Sequence, residues 1–220
     1  MTSALAALEP ELVAGCRELG IPLSAEQARA QLTLLVELLE WNGRFNLTSI
    51  TAPVDMLRKH LLDSLVVLPY LRGARIADIG TGAGFPGLPL AICSPQRQFT
   101  LIDATAKKCR FVTHAAAMLG LTNVTVVHAR AESWQPATVF DSVVARALAS
   151  LAGFIRSAAH LCASGGRLLA MKGRVPEAEL ASLPRGWHMV ALHRLTVPGL
   201  EAERHLIELA RETDAPRSRS

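Results

Sequence analysis

The sequence predicts an α/β fold in which a mostly parallel sheet of seven strands is flanked by helices. Strand-like and helix-like segments alternate from residue 75 onward, which is typical of a parallel sheet covered on both faces. Half of the 220 residues are hydrophobic, enough for a sizeable core. The first 70 residues have the apolar spacing of helices. We therefore expect an N-terminal helical extension over 1–70, a core domain over 71–211 and a flexible tail over 212–220.

The N-terminal extension carries clear helix signals. Ser24 and Gln27 have the spacing of a capping box, which starts a helix. Apolar residues then recur at i, i+3, i+4 and i+7, at Leu32, Leu35, Val36 and Leu39. The segment 41–43 predicts the end of this helix, and a second helix is expected over 54–70.

Seven strand-like segments follow in the core. They are the runs 74–80, 98–104, 123–130, 140–147, 166–173, 187–198 and 204–211. Helices are predicted between them over 87–95, 107–119 and 148–162, the last stopped by Ser164-Gly165-Gly166. The final two strands follow each other closely, so we expect them to be antiparallel additions at one edge of the sheet.

A glycine-rich loop follows the first predicted strand. Gly80, Gly82, Gly84 and Gly87 fall within eight positions, between this strand and a helix. Ligands of open α/β sheets bind beyond the carboxyl ends of the strands, so a cofactor is expected here. Since the helix N-terminus offers unpaired N–H groups, the loop has the chemistry to hold one.

Two cofactor classes fit this loop. The run from Gly82 to Gly87 satisfies GxGxxG, and Asp103 comes about 20 residues later, as in dinucleotide-binding proteins. Alternatively, Asp78 lies just inside the loop, where a carboxylate suits the ammonium group of S-adenosylmethionine and would repel a pyrophosphate. In either case Asp103, at the end of the second strand, can accept both hydrogen bonds of a ribose diol.

Composition excludes several other classes. The four cysteines are widely spaced, so neither a zinc site nor a disulfide framework is predicted. No apolar run approaches the roughly 18 residues of a membrane-spanning helix. Residues 1–70 carry five Lys or Arg and eight Asp or Glu, whereas residues 71–220 carry eighteen and eleven. The excess of Lys and Arg in the predicted core domain is consistent with a polyanionic partner. We expect a cytoplasmic monomer that binds no metal.

Several segments together resemble one known family. They are WNGRFNLTSI (41–50), HLLDSL (60–65), ADIGTGAGFPGLPLAI (77–92), LIDATAKKCRF (101–111), NVTVVHARAE (123–132), FDSVVARALASL (140–151) and MKG (171–173). In this order they resemble the ribosomal small subunit methyltransferase G family, also called glucose-inhibited division protein B. The resemblance implies a Rossmann-like class I methyltransferase fold. It also implies an enzyme that uses S-adenosyl-L-methionine to methylate N7 of one guanine in 16S ribosomal RNA, releasing S-adenosyl-L-homocysteine. The partner would be that RNA or the small ribosomal subunit.

The resemblance also implies site residues. It suggests cofactor contacts at Gly80, Phe85, Ala131, Glu132 and Arg146. From the residues themselves, we expect the backbone at Gly80, Gly82 and Gly84 to lie near the methionine part of the cofactor. Asp103 is assigned to the ribose. The Ala131 N–H and the Glu132 carboxylate are assigned to the adenine.

The substrate side is expected around Arg146 and Lys172, at the ends of the fourth and fifth strands. A guanidinium can pair with a phosphate, with guanine O6 or with the cofactor carboxylate. Guanine N7 has a free lone pair and no proton to lose, so we expect no catalytic acid or base. Candidate RNA contacts are Arg44, Lys107, Lys108, Arg130, Lys172 and Arg174. His60 and Asp63 share one helix face, where they could stabilise the helix or reach over the pocket.

Three other functions stay open from the sequence. A methyltransferase of the same fold acting on a small molecule would have a neutral or acidic cofactor mouth. A nicotinamide-dependent oxidoreductase would hold a cofactor phosphate on the backbone of 82–87. A non-catalytic RNA-binding module would show no cofactor-dependent thermal shift.

Overall fold

The computed structural model describes residues 2–147 and 149–212. The N-terminal segment consists of helices joined by short loops: α1 (Thr2–Ala6), α2 (Glu9–Glu18), α3 (Ala25–Phe45), α4 (Pro53–Met56), a π-helical turn (Leu57–Leu62), α5 (Asp63–Leu65) and a 3₁₀ turn (Leu68–Tyr70). The predicted capping box is present at the start of α3. There the Ser24 hydroxyl accepts the Gln27 N–H at 3.1 Å, and the Gln27 side chain accepts the Ser24 N–H at 3.0 Å.

The rest of the described chain alternates between strands and helices. Its elements are β1 (Arg75–Ile79), α6 (Gly87–Cys93), β2 (Gln98–Asp103), α7 (Ala106–Met118), β3 (Val124–His128), a 3₁₀ turn (Ala131–Ser133), β4 (Phe140–Arg146), α8 (Leu151–Ala158), a 3₁₀ turn (Ala159–Leu161), β5 (Cys162–Lys172), α9 (Glu177–Ala181), β6 (Trp187–Leu195) and β7 (Arg204–Arg211). The strand order is β3-β2-β1-β4-β5-β7-β6.

The predicted seven-stranded, mostly parallel sheet is confirmed. Strands β1 to β5 pair in parallel, whereas β7 is antiparallel to both β5 and β6. The last two strands are therefore antiparallel additions at one edge, as predicted. The order of the strands reverses between β1 and β4, and a reversal of this kind is where open α/β sheets bind ligands.

The central strands are buried on both faces. Ile76–Ile79 in β1 and Ser142–Ala145 in β4 are all buried. Such continuous burial explains why these strands are mainly apolar and do not show a strict polar–apolar alternation. By contrast β3, at the edge, is only partly buried.

The N-terminal helices pack on one face of the sheet. Leu35 and Leu38 of α3 belong to the same buried cluster as Leu88 and Leu90 of α6. The fully buried Gln31 links the two helices, since its Nε2 donates to the Pro89 carbonyl at 2.9 Å. No helix among the described residues is long and apolar enough to cross a membrane.

Two predictions about the N-terminal helices were wrong in detail. Helix α3 does not end at 41–43 but continues to Phe45, because Asn46 adopts a left-handed conformation and caps it. The Asn42 side chain then accepts the N–H groups of Leu47 and Thr48 at 2.6 and 2.8 Å. The single helix expected over 54–70 is instead divided by the π-helical turn and by the 3₁₀ turn around Pro69.

The segment expected to be helical over 148–162 also differs. Leu148 lies outside the described residues, and α8 begins at Leu151 after Ser150, whose hydroxyl accepts the Gly153 N–H at 3.0 Å. Cys162 already belongs to β5, and the residues predicted to stop the helix, 164–166, lie within that strand. A register shift against β4 accommodates them. In the predicted flexible tail, only Glu212 is described.

Candidate functional site

Two cavities open at the carboxyl edge of the sheet, on either side of the reversal in strand order. The Gly80 cavity, about 220 Å³, follows β1, β2 and β3 and is lined by residues that include Gly80, Asp103, Ala104, Arg130, Ala131 and Glu132. The Arg146 cavity, about 430 Å³, lies beyond β4, β5 and the start of β7 and is lined by residues that include Lys59, His60, Asp63, Arg146, Lys172 and Arg204. Candidate residues from distant parts of the sequence are thus brought together.

The first two loop glycines leave open space beside the main chain. Gly80 and Gly82 have φ values of 65° and 62°, a region that residues with a side chain rarely adopt. A Cβ at Gly80 would have no heavy atom within 4 Å, and one at Gly82 would meet only the Gly80 carbonyl oxygen at 4.0 Å. A ligand can therefore lie directly against this backbone.

The next two glycines serve packing instead. A Cβ at Gly84 would lie 2.4 Å from a methyl carbon of Leu88, and one at Gly87 would lie 2.1 Å from a methyl carbon of Leu101. These glycines let the loop approach α6 and let α6 approach β2. Of the three glycines predicted to lie along the cofactor, Gly80 lines the Gly80 cavity, whereas Gly82 and Gly84 line neither cavity.

Asp78 lies beneath the loop and lines neither of the two cavities. It is fully buried, and its Oδ2 accepts the Thr81 hydroxyl at 2.7 Å and the Gly87 N–H at 2.8 Å. Burial raises the pKa of Asp78 to about 7, although these hydrogen bonds act to lower it. The Asp78 carboxylate therefore does not face the Gly80 cavity in this structure, and its contact with a cofactor ammonium stays a prediction. Because Asp78 already holds the Gly87 N–H at the start of α6, a pyrophosphate is also disfavoured there.

Asp103 reaches the Gly80 cavity from the end of β2. Its Oδ2 accepts the Gly82 N–H at 2.9 Å and its Oδ1 accepts the Thr105 N–H at 2.8 Å. Lys108 lies 4.0 Å from the same carboxylate. Each carboxylate oxygen has two acceptor sites, so Asp103 retains the capacity to accept further hydrogen bonds from a ligand in the cavity.

Ala131 and Glu132 form the far wall of the Gly80 cavity. They begin the 3₁₀ turn after β3, and the Ala129 N–H is bound to the Asp103 carbonyl at 3.1 Å. The Glu132 carboxylate is exposed and lies 3.7 Å from Arg130. This wall therefore presents main-chain groups and one carboxylate, which is the chemistry needed to bind a purine edge.

An aromatic pair underlies the Arg146 cavity. The rings of Phe85 and His60 stack with centroids 4.6 Å apart, and the Arg146 guanidinium lies 5.7 Å from the Phe85 centroid. The His60 Nε2 shares a hydrogen bond with the Thr48 hydroxyl at 3.1 Å. Burial, followed by the positive charge of Arg146, lowers the pKa of His60 to about 4. His60 is therefore neutral at physiological pH.

Asp63 connects the N-terminal helices to this cavity. Its carboxylate accepts Arg146 Nη1 at 3.2 Å and Arg204 Nε at 2.5 Å, and Arg146 Nη1 also donates to the Lys59 carbonyl at 2.9 Å. Two roles were considered for His60 and Asp63, stabilising their own helix or reaching over the pocket, and both residues line the Arg146 cavity. Sequence reasoning missed Arg204 altogether, and no motif marks it.

Lys172 lies at the edge of the Arg146 cavity, as predicted. Its Nζ is 3.2 Å from Glu179 Oε1, and the second oxygen of that carboxylate accepts the Leu151 N–H. Its side chain is only 12% exposed, so its ammonium is fixed by its neighbours.

The other predicted RNA contacts are scattered. Lys107 donates to the Phe45 carbonyl at 2.8 Å and so ties α7 to the end of α3. Arg44, Arg130 and Arg174 are exposed. Of these three, only Arg130 lines one of the two cavities, the Gly80 cavity.

The described residues fit a nucleoside-containing cofactor at the Gly80 cavity. Three features provide the contacts. The open space beside the main chain of Gly80 accommodates an extended group, the Asp103 carboxylate can bind a ribose, and the main-chain groups at Ala131 can bind a base. The family model for GidB, described as rRNA small subunit methyltransferase G, matches residues 21–207. The chain belongs to this family.

Curated relatives agree with this membership. The ribosomal RNA small subunit methyltransferase G of Methylococcus capsulatus is 52% identical over 195 residues, covering 89% of this chain and 95% of the relative. That of Aeromonas hydrophila subsp. hydrophila is 51% identical over 190 residues, covering 86% and 88%. Over most of its length the chain is therefore similar to methyltransferase G proteins.

Solved structures share the fold of this methyltransferase G family member. A SAM-dependent methyltransferase from Aquifex aeolicus aligns with a TM-score of 0.55 at 18% identity, covering 70% of this chain and 92% of that one. The glycopeptide N-methyltransferase MtfA, solved with (S)-adenosyl-L-homocysteine, aligns with a TM-score of 0.60 at 11% identity, covering 69% and 87%. The class I methyltransferase fold expected from the sequence is thereby confirmed.

Proposed function

We infer that this chain is an S-adenosylmethionine-dependent methyltransferase that modifies N7 of a guanine in 16S ribosomal RNA. The observation that carries this conclusion is the Gly80 cavity, where the ends of three parallel strands meet in a protein of the methyltransferase G family. The nicotinamide alternative is disfavoured because Asp78 takes the Gly87 N–H that a pyrophosphate would need.

The Gly80 cavity supports a specific assignment of cofactor contacts. The backbone at Gly80 and Gly82 lies along the methionine part, and Asp103 accepts the ribose hydroxyls. The main chain at Ala131 and the carboxylate of Glu132 bind the adenine. Asp78 and Gly84 act indirectly, by fixing the shape of the loop from below.

Phe85 and Arg146 extend this assignment toward the reacting groups. The guanidinium of Arg146 is held over the Phe85 ring by Asp63 and by the Lys59 carbonyl. Because its position is fixed before any ligand binds, it can orient either the cofactor carboxylate or the base without a cost of reorganisation.

Methyl transfer to guanine N7 requires no side chain to act as an acid, a base or a nucleophile. When bound, S-adenosylmethionine supplies an electrophilic methyl group, and guanine N7 has an in-plane lone pair to receive it. No proton must leave N7, so no general base is needed. His60, with its pKa lowered to about 4, is not protonated at neutral pH and adds no positive charge beside the methyl donor. Positioning and electrostatics therefore supply the rate enhancement.

The charge of the Arg146 cavity favours RNA over a small neutral substrate. Four cationic side chains line it against one acidic side chain, Asp63, and the carboxylates of Asp55 and Glu179 pair with two of the four, so one positive charge remains in excess. The cationic residues are Lys59, Arg146, Lys172 and Arg204. A polyanion gains from such a surface, whereas a small uncharged molecule does not. We further propose that the enzyme acts as a monomer in the cytoplasm on 16S ribosomal RNA, free or within the small subunit.

Methyl transfer from labelled S-adenosylmethionine to small subunits that lack the modification tests this function. We expect label in 16S ribosomal RNA and N7-methylguanine after digestion. Label in another base would contradict the assignment of N7. No label in RNA, despite binding of the cofactor, would favour a small-molecule substrate.

A further inference from the structure

Arg204 occupies a position in the Arg146 cavity that the assignments above leave unused. It begins β7, and its Nε donates to Asp63 Oδ1 at 2.5 Å while its Nη1 donates to the Glu203 carbonyl at 2.9 Å. Asp63 lies 141 positions earlier in the chain. The contact therefore joins the N-terminal helices to the strand that follows β6.

Asp63 holds two guanidinium groups in place at once. Its side chain is 4% exposed, and its two oxygens are divided between Arg204 and Arg146. A buried carboxylate is costly unless it is paired, so both arginines are drawn to it. With two positive charges on one negative charge, the cluster keeps a net positive charge that faces the cavity.

Both arginines retain unused donors. Among residues 2–147 and 149–212, Arg204 Nη2 and Arg146 Nη2 have no hydrogen-bond partner, and the two side chains are 25% and 24% exposed. A guanidinium has five N–H donors in a planar fork that matches the oxygens of a phosphate. The cavity thus contains fixed, partly exposed donors with excess positive charge.

We propose that Arg204 binds a phosphate of the RNA substrate next to the target guanine, with Asp63 as the positioning residue that aims its guanidinium. The proposal rests on the function inferred above. Arg146, stacked over Phe85, lies on the cofactor side of the cluster, whereas Arg204 enters from β7, beyond β5 and farther from β1. One carboxylate therefore fixes the spacing between a group that serves the cofactor and a group that serves the RNA.

Arg204→Gln tests the proposal, with Arg194→Gln as the matched control. Arg194 lies on the neighbouring strand β6, is exposed and lines neither cavity, so its replacement removes the same charge outside the site. The assay is methylation of unmodified small subunits at several salt concentrations, together with calorimetric titration of S-adenosylmethionine. Each phosphate contact adds about one unit to the salt dependence of RNA binding.

For Arg204→Gln we expect a KM for small subunits about tenfold higher and a salt slope smaller by about one unit. Cofactor affinity should stay within about twofold of wild type, and Arg194→Gln should change neither quantity. Weakened cofactor binding with an unchanged salt slope would overturn the proposal and assign Arg204 to the cofactor carboxylate. An unchanged KM and slope would also overturn it.

Arg204→Lys keeps the test decisive if the Gln variant does not fold. An ammonium preserves the charge but not the planar fork. We expect it to retain the salt slope and to raise the KM about threefold, and an effect confined to cofactor affinity would contradict the proposal. If wild-type protein methylates no RNA, the function itself fails. Normal wild-type activity with an unaffected Arg204→Gln variant rejects only the phosphate contact.

Discussion

Gly82 donates its backbone N–H to the carboxylate of Asp103 at 2.9 Å, although 21 positions separate the two residues. Asp103 thereby holds the glycine loop against the end of β2, and its other oxygen accepts the Thr105 N–H. The residue assigned to the cofactor ribose is also part of the wall that shapes the cavity. Its removal therefore has two consequences that must be measured separately.

Replacing Asp103 by Ala should weaken S-adenosylmethionine binding at least tenfold and lower the free energy of unfolding by about 1–3 kcal/mol. Both effects follow from the loss of hydrogen bonds to a charged acceptor. Calorimetric titration measures the first, and urea denaturation measures the second.

Asp141→Ala is the matched control for Asp103→Ala. The Asp141 carboxylate also accepts two backbone N–H groups, those of Ala74 and Arg75, both at 2.9 Å. Asp141 lies at the opposite ends of the strands from the Gly80 cavity, near the start of β1 and β4. We expect a similar loss of stability with unchanged cofactor affinity. If the two variants bind the cofactor equally well, Asp103 has only a structural role.

Gly80→Ala should weaken cofactor binding by more than its effect on the fold explains. A Cβ at Gly80 meets no described atom, so the fold loses only the backbone penalty of a positive φ, about 1–2 kcal/mol. The methyl group would, however, fill the space assigned to the cofactor. We expect at least a tenfold loss of affinity in a calorimetric titration.

Gly20→Ala controls for the backbone penalty alone. Gly20 has a φ of 70° and a Cβ there would likewise meet nothing within 4 Å, but it lies after α2 and lines neither cavity. The two variants should lose similar stability, and only Gly80→Ala should lose cofactor affinity. Equal affinities would place the cofactor elsewhere.

The sequence predicts the sheet and the Gly80 cavity well because the signals are local. Apolar runs mark the strands; Asp103 ends one of them, and Gly80 and Ala131 come shortly after two others. Parallel strands bring such positions to the same edge. The position of the Gly80 cavity therefore follows from the order of the strands, and no long-range side-chain contact is needed to predict it.

The Arg146 cavity is less predictable because its contacts are long-range. Asp63 meets Arg146 and Arg204, which lie 83 and 141 positions away. No periodicity reports such pairs. The burial of Asp78 was missed for a related reason: a carboxylate at the end of a strand looks the same in sequence whether it faces a ligand or caps a helix from below.

Asp78→Asn should make the protein more stable at pH 8 and change its stability much less at pH 4. Burial, which outweighs the hydrogen bonds from Thr81 and Gly87, raises the pKa of Asp78 from its ordinary value of 3.8 to about 7. Between these values the folded state binds the extra proton, so the contribution of Asp78 to stability falls as the pH rises from about 4 to 7. An amide does not titrate and escapes this loss.

The hydrogen bonds of Asp78 are compatible with an Asn side chain. Asp78 Oδ2 accepts both hydrogen bonds, while Oδ1 has no partner among the described residues, so an amide can keep the acceptor and put its NH₂ on the other side. We expect the stability difference between variant and wild type to grow by roughly 2–4 kcal/mol from pH 4 to 8. Urea denaturation at each pH measures it.

The stability of Asp78→Asn must be compared with that of the wild-type protein at each pH, because the protonation of His60 also changes the stability with pH. Burial lowers the pKa of His60 from 6.5 to about 4, so its contribution to stability rises with pH between about 4 and 6.5, opposite to that of Asp78. His60 is present in both proteins, so its contribution cancels. A stability difference that does not depend on pH would show that Asp78 is already ionised at pH 4 in the folded protein.

Ala147→Gly should raise the free energy of unfolding by about 0.5–1 kcal/mol. Ala147 lines the Arg146 cavity with a φ of 57°, where a Cβ is strained and glycine is not. The control is Ala145→Gly, two residues earlier in β4, where the side chain is fully buried and φ is not positive. That change should lower stability by about 1 kcal/mol or more, since glycine in a strand interior loses both packing and backbone order. Urea denaturation compares the two variants, and a less stable Ala147→Gly protein would mean that the loop after β4 relieves the strain in another way.

Because strain beside a binding site is kept only when the surrounding structure enforces it, we also expect the more stable Ala147→Gly enzyme to methylate small subunits more slowly.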